Sequence, residues 1–306
     1  MYKLYTMKYT NKHNLPESFV DFATNDKYSK GNSDISVTTL IDSPRIRLMK
    51  EHHKNDIQED VIDRVWALLG TAVHYVLESS IELNRNKTPC CSKKKIIYEE
   101  RLFSEVDGWV LSGAIDSQNI QDNKVSIVDY KVTSVWSVIY GKKEWEEQLN
   151  CYAYLVSENK KLGVKSIQIC AILRDWIRRE SENRNNYPKI PVTMVDIPVW
   201  SDEKRQDFIK GRMKLHQEAQ QNYERSGEFP LCTRSDRWFS EDIWAIHKGN
   251  NKRALKLCKT EQDAKDYIRG LTDHNIKFRE GKPARCSGNY CGVAEFCSQY
   301  NGENNE

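Results

Sequence analysis

The sequence predicts an α/β fold, with a mixed central sheet flanked by helices and a cysteine-rich C-terminal cap. Three observations carry this. Five short apolar runs read as strands, three longer segments repeat apolar residues at helical spacing, and beyond Glu228 the chain changes to an aromatic patch and a cysteine trio. At 306 residues there is length for one large domain or two ordinary ones. The organisation read here is an N-terminal segment with a short helix (1–59), an α/β core (60–227) and the cap (228–306).

Residues 1–35 are polar and irregular, a loosely attached segment. Ser43-Pro44-Arg45 puts proline at a first helical position and starts a short helix to about His53; the adjacent His52 and His53 read as solvated surface. From Asp60 as N-cap, Val61, Val65, Trp66, Leu69, Val73, Val76 and Leu77 recur at helical spacing and predict a long core helix. His74 and Glu78 lie four apart on one face of it. The polar loop 84–95 holds Cys90 and Cys91, read as loop thiols.

Strands are read at 96–103 (with Glu99 and Glu100 in it), 109–115 and 125–132. The helix 144–157 carries Trp145, Leu149, Tyr152 and Leu155 on one stripe, with Gln148 and Tyr152 four apart on that face. The next strand, 166–173, is almost continuously apolar, as a sheet centre reads. Residues 174–179 interleave arginines with Trp176, which suits a strand of nucleic acid and equally a solvated loop. A fifth strand, 192–200, leads into a helix 201–223 capped by Ser201. In the cap, 244–257 reads as a hairpin around Gly249-Asn250-Asn251, and Thr260-Glu-Gln-Asp263 opens a last helix.

Composition narrows the function classes. Hydrophobic content of 39%, charged content of 30% and a net charge of +3 describe a polar globular protein whose nucleic-acid affinity must come from local patches. No apolar run reaches membrane-spanning length, and the N-terminus lacks a signal-peptide apolar stretch. The expectation is an intracellular, cytoplasmic protein without a membrane partner, in host cytoplasm if phage-encoded. Nine cysteines there read as thiols or metal ligands.

One grouping stands out. Asp116 closes the second strand run, and Asp129 and Lys131 sit two apart at the end of the third. Side chains alternate along a strand, so Asp129 and Lys131 face one way and Tyr130 the other. The turn at 119–124 brings the two carboxylates together. Such a grouping is costly unless it binds a cation or does chemistry. An isolated Asp-x-Lys is far more often a surface ion pair, so the rest of the chain decides.

Four pieces in order decide it: Gly70-Thr71-x-x-His74-x-x-x-Glu78, Gly113-x-x-Asp116, Asp129-x-Lys131 and Gln148-x-x-x-Tyr152. The chain resembles the PD-(D/E)xK nuclease superfamily and, within it, the RecB-type branch of iron–sulfur CRISPR-adaptation exonucleases and AddB-type nuclease domains. It departs from many members in having Asp rather than Glu before x-Lys. The resemblance implies a restriction-endonuclease-like core and a Mn²⁺ or Mg²⁺ site made by His74, Asp116, Asp129 and the carbonyl of Tyr130. It gives Asp116, Asp129, Lys131 and Glu78 to the chemistry: Lys131 holds the attacking water, its pKa lowered by burial, and Glu78 orients His74 or a metal-bound water. Gln148 and Tyr152, with Arg174 and Arg178, are the expected DNA contacts.

Cys286-x4-Cys291-x5-Cys297 reads as a metal site. The iron–sulfur relatives have a first cysteine before Pro-Arg, where this chain has Ser43. Cys232, in the same C-terminal region as the trio, is the candidate fourth ligand. Four thiolates suit a [4Fe–4S] cluster or structural Zn²⁺, and the resemblance favours the cluster. Cys151, Cys170 and Cys258 read as core thiols.

The expected function is a metal-dependent DNA nuclease, an exonuclease on single-stranded DNA or DNA ends. Recombination, repair or phage DNA metabolism are its natural settings, with a helicase or recombination factor as candidate partner. The rival is a non-catalytic DNA-end-binding subunit, against which the intact carboxylate pair and Lys131 argue. A third reading is a zinc-stabilised interaction protein.

Overall fold

The computed structural model describes residues 8–25, 30–85 and 95–303. In chain order it begins with β1 (Lys8–Thr10), α1 (Glu17–Thr24), β2 (Ile35–Ser36), α2 (Val37–Leu40), α3 (Pro44–His52) and β3 (Gln58–Asp60). Then come α4 (Val65–Arg85), β4 (Lys95–Val106), β5 (Trp109–Gln121), β6 (Lys124–Thr133), α5 (Val135–Tyr140) and α6 (Lys143–Lys160). They are followed by β7 (Gly163–Leu173), α7 (Arg178–Asn183), β8 (Val192–Ile197) and α8 (Asp202–Ser226). The chain ends with β9 (Ile243–Lys248), β10 (Lys256–Cys258), α9 (Glu261–Ile268), β11 (His274–Arg279), α10 (Ala284–Ser287) and α11 (Ser298–Glu303). Cys90 and Cys91 lie outside the described residues.

These elements fall into two compact units, Met1–Asp42 with Asn55–Gly227, and Ser43–Lys54 with Glu228–Glu306. In this division the chain parts at Gly227, and the short proline-led helix α3 groups with the C-terminal segment. Its Arg45 reaches the carbonyls of Phe229 and Pro230 at 3.2 and 2.9 Å, a long-range tie that composition cannot show.

In the first unit the central sheet runs β4-β5-β6-β7-β8, with β2 added alongside β5. β4, β5 and β6 form an antiparallel meander; β6 and β7 are parallel, with α5 and α6 crossing between them. β8 returns antiparallel to β7, giving the expected mixed sheet. Its core is Leu111, Ile115, Val125, Ile127, Leu149, Leu155, Ile167 and Ile169, all fully buried or nearly so. Gly113 lets α6 approach: a Cβ there would come within 2.8 Å of both the Leu155 side chain and the Tyr152 ring. That close seat fixes Gln148 and Tyr152 over β5.

Two expectations change. The turn between β5 and β6 is confined to Asp122 and Asn123, both at positive φ (49° and 56°) as a two-residue hairpin turn demands. β5 therefore runs on through Asp116 to Gln121, and Asp116 sits within the strand rather than closing it. Nor is α4 a core helix: Trp66, Tyr75 and Val76 are 57, 69 and 58% exposed, so it covers the sheet with one side only. Asp60 caps the short 3-10 turn that precedes it, accepting from Ile62 N at 3.2 Å.

The second unit holds the three-stranded antiparallel sheet β10-β9-β11, with Ile246, Cys258 and Ala264 at the centre of its small core. Thr260 caps α9 as the sequence predicts, accepting from Asp263 N at 3.1 Å. His53 is packed rather than solvated, its ring stacked on Phe296 at 4.3 Å, while His52 stays exposed.

Candidate active site

Strand register builds the site. Ser117 pairs with Val128 where β5 and β6 begin to part, so the next positions are Asp116 and Asp129. On the other side Tyr98 pairs with Ser117 and Glu100 with Ile115, leaving Glu99 opposite Asp116. Three carboxylates thus share one row across three adjacent strands. Asp116 and Asp129 are 8 and 1% exposed. Asp116 Oδ2 accepts the Tyr130 amide N–H at 2.7 Å, so a side chain takes the place of a strand partner where the ladder opens.

His74 comes in from α4. Its Nε2 is 3.1 Å from the Tyr130 carbonyl oxygen and 3.7 Å from Asp116 Oδ2, and its Nδ1 is 3.2 Å from Glu99 Oε1. Glu99 reaches it because its backbone is left-handed, φ 47°, an uncommon conformation for a non-glycine residue within a strand. The sequence showed two glutamates in that strand but nothing to single out Glu99. Glu78, the expected orienting carboxylate, lines the same cleft one turn further along α4; the carboxylate that meets Nδ1 is Glu99's.

Electrostatics follow from this crowding. The Glu99 contact, reinforced by Asp116, raises His74 to about 9 against the opposing effect of burial. Burial first, then the Asp129 charge, pushes Asp116 up to about 7. Lys131 Nζ stands 2.7 Å from Asp129 Oδ2. Burial works to lower Lys131, but Asp129 and Asp116 outweigh it and hold it above its ordinary value, contrary to the lowered pKa expected. The Lys131 ammonium is the partner that meets the buried Asp129 oxygen.

Such a set fits a divalent cation. His74, Glu99 and Asp116 can each offer an atom within 4.8 Å of the others, and the Tyr130 carbonyl adds a fourth oxygen or nitrogen donor beside them. Adjacent ligands of an octahedral cation stand about 3 Å apart. The upward shift of Asp116 is relieved by positive charge. His74, Glu78, Asp116, Asp129, Lys131, Gln148 and Tyr152 all line one cleft of about 980 Å³. Gln148 donates to Tyr152 Oη at 2.7 Å, and both are largely buried in its wall. Arg174 and Arg178 are exposed and lie outside that lining. Trp176 is half-buried, its indole N–H held by the Pro188 carbonyl at 2.8 Å, so the aromatic interleaved with those arginines is already engaged.

In the second unit Cys232, Cys286, Cys291 and Cys297 line a single small pocket with Arg45. Ser43 Oγ lies 3.2 Å from Cys232 Sγ, and Arg45 Nε donates to Cys297 Sγ at 3.3 Å. Arg45 is 2% exposed, and its other partners are two carbonyls and the Ser298 hydroxyl. Burial raises the Cys232 thiol to about 11. Cys151 and Cys258 are buried and Cys170 half-buried, as core thiols should be.

Comparison with curated proteins returns no match. Among solved structures, SSO0001 is 18% identical, with a TM-score of 0.41, over 65% of this chain and 82% of that one. A protein from Eubacterium rectale whose name proposes an exonuclease is 14% identical, with a TM-score of 0.28, over 57% of each chain. At those scores neither likeness carries an argument. The family match does: residues 47–298 match the PD-(D/E)XK nuclease superfamily, a range that contains His74, Asp116, Asp129 and Lys131, and the chain belongs to that superfamily.

Proposed function

We propose that the protein is a divalent-metal-dependent deoxyribonuclease acting as an exonuclease on single-stranded DNA or DNA ends. The observation that carries this is the meeting of His74 Nε2, the Tyr130 carbonyl and Asp116 Oδ2 beside a buried Asp129 paired with Lys131. His74, Asp116, Asp129 and the Tyr130 carbonyl would hold Mn²⁺ or Mg²⁺. The cation would neutralise charge on the scissile phosphate and acidify a water. Lys131, 2.7 Å from Asp129 Oδ2, positions that water and offers positive charge where the phosphate gains negative charge. For His74 to act as a ligand, Nε2 must be free of its proton while Glu99 keeps the Nδ1–H, which fixes the tautomer. Glu78, Gln148 and Tyr152, lining the cleft, are assigned to substrate and water positioning, and Arg174 and Arg178 to the DNA backbone.

The test is hydrolysis of end-labelled single- and double-stranded DNA with Mn²⁺, Mg²⁺ or EDTA, with Lys131→Ala as control. Metal-dependent degradation absent from the variant supports the enzyme. Binding without cleavage under any metal would instead favour the non-catalytic end-binding subunit.

The cysteine pocket is assigned a [4Fe–4S] cluster held by Cys232, Cys286, Cys291 and Cys297. Tetrahedral zinc with bonds near 2.3 Å would need sulfurs about 3.8 Å apart. Among the described residues no three cysteine sulfurs lie within 4.8 Å of one another. The buried Arg45, with no carboxylate in ion-pair contact among the described residues, calls for anionic sulfur. Iron and acid-labile sulfide in the purified protein support this assignment; stoichiometric zinc replaces it.

A further inference from the structure

Three aromatic side chains in the first unit are set against solvent. Trp66 is 57% exposed, Trp136 44% and Tyr140 79%. Single exposed aromatics are ordinary on a protein surface. These are linked through contacts and flanked by arginines. The Arg174 guanidinium lies 4.2 Å over the Trp66 ring. Arg174 N donates to the Thr133 carbonyl at 3.0 Å, and the neighbouring Asp175 Oδ1 accepts from Val135 N at 2.7 Å. Val135 opens α5, whose Trp136 and Tyr140 rings stack at 5.9 Å and 17°. The Arg184 guanidinium lies 5.9 Å from the centre of the Trp136 ring, while paired with Glu180.

This series begins at the cleft. Thr133 is two residues beyond Lys131 and, by strand alternation, on the same face of β6. Along α4 the cleft is lined by Arg64, Ala67, Gly70 and His74. Trp66 is four residues before Gly70 and so adjoins that lining. A strand whose phosphodiester is bound at the proposed metal site would find Trp66 beside that lining and, past Arg174, α5.

We propose that Trp66, Trp136 and Tyr140, with Arg174 and Arg184, form a stacking platform for the unpaired bases of a single-stranded nucleic acid threaded through the cleft. The proposal rests on the nuclease reading and names the substrate form of that site. Flat rings backed by guanidinium groups offer every base a stacking face regardless of sequence, and the arginines meet the phosphates between them. A duplex keeps its base faces inside the helix and gains little from such a surface. The occupant is thus a strand, and the platform selects for strandedness, not sequence.

The experiment uses the full chain carrying Lys131→Ala, in EDTA, with fluorescence anisotropy of labelled oligothymidylate, a duplex hairpin and an abasic oligomer of equal length. Adding Trp66→Ala or Trp136→Ala should weaken oligothymidylate binding roughly tenfold each and leave the duplex unchanged. The abasic strand should bind the parent as weakly as oligothymidylate binds these variants. Trp66→Phe and Trp136→Phe should recover most of the affinity, which a folding defect would not allow. Unchanged oligothymidylate affinity in the alanine variants, or equal losses on all three probes, overturns the platform alone. No binding of any probe by the parent overturns the platform together with the nuclease reading.

Discussion

The cleft is built around two buried carboxylates, the cysteine pocket around a buried arginine. In the cleft, register sets Glu99, Asp116 and Asp129 in one row beside His74 and Lys131, with Asp116 and Asp129 buried. In the pocket, Arg45 is buried among thiols and carbonyls. Buried charge is expensive, and under the proposed function a cation would offset the carboxylates of the first site and anionic sulfur the arginine of the second. The difference also shows in how each is built. Adjacent strands assemble the cleft through local pairing, whereas the pocket joins Ser43 and Arg45 to residues from Phe229 onward.

The largest effect should come from breaking the cleft's chemistry while leaving its fold. Lys131→Ala and Asp129→Ala should each lower the hydrolysis rate of end-labelled DNA by about a thousandfold or more. Asp129→Ala should leave thermal melting near that of the parent, whereas Lys131→Ala, which strands the buried Asp129 carboxylate, should lower it in the absence of metal. A variant retaining a tenth of the parent rate would remove that residue from the mechanism.

Acidity sharpens the comparison next. Without metal, Asp116 is raised to about 7 and His74 to about 9, so both bind protons at neutral pH that a cation must displace. A raised pKa means that metal competes with protons, so affinity climbs as pH rises and levels off once both groups are deprotonated. Calorimetric Mn²⁺ affinity should increase by up to about tenfold per pH unit from 7 to 9, with proton release seen in buffers of different ionisation enthalpy. A flat profile over that range would show that His74 is not a ligand.

The pocket gives the opposite test. Arg45→Met should destabilise the metal-loaded protein by about 1–3 kcal/mol more than the metal-stripped protein, because only bound thiolates need its charge. Equal effects in the two forms would mean that Arg45 serves its carbonyl contacts alone. Replacing Cys286, Cys291 and Cys297 together by serine should lower the melting temperature; a triple variant melting like the parent would end the structural-metal assignment.

How much of this was legible in the sequence depends on the range of the contact. The carboxylates, Lys131, His74 and the Gln148–Tyr152 pair follow from alternation along strands and four-residue spacing on helices, and the structure sets them around one cleft. Asp116 was placed at a strand end because the turn residues blur where pairing stops; positive φ at Asp122 and Asn123 moved the turn outward. Trp66 read as core since an apolar residue at helical spacing looks the same whether or not anything covers it. The docking of α3 with the C-terminal segment rests on contacts between residues far apart in sequence, beyond the reach of any local pattern. Glu99 was hidden most fully, because its part in the site depends on one backbone angle.

That angle gives the smallest effect and the finest test of how the cleft is built. Glu99 touches His74 Nδ1, and a carboxylate there keeps the imidazole turned with Nε2 toward the Tyr130 carbonyl and Asp116. Partners of this kind, one step removed from the metal, typically contribute ten- to a hundredfold in metal affinity. Glu99→Ala should therefore weaken Mn²⁺ binding within that range, whereas Glu99→Gln, whose amide oxygen can still accept from Nδ1–H, should lose less than tenfold. Glycine at 99 separates the two things this residue does. It relieves the left-handed backbone and removes the carboxylate, so Glu99→Gly should raise thermal stability while binding Mn²⁺ as poorly as Glu99→Ala. If glycine left both stability and metal affinity unchanged, neither the strained backbone nor the Glu99–His74 contact would matter to the site.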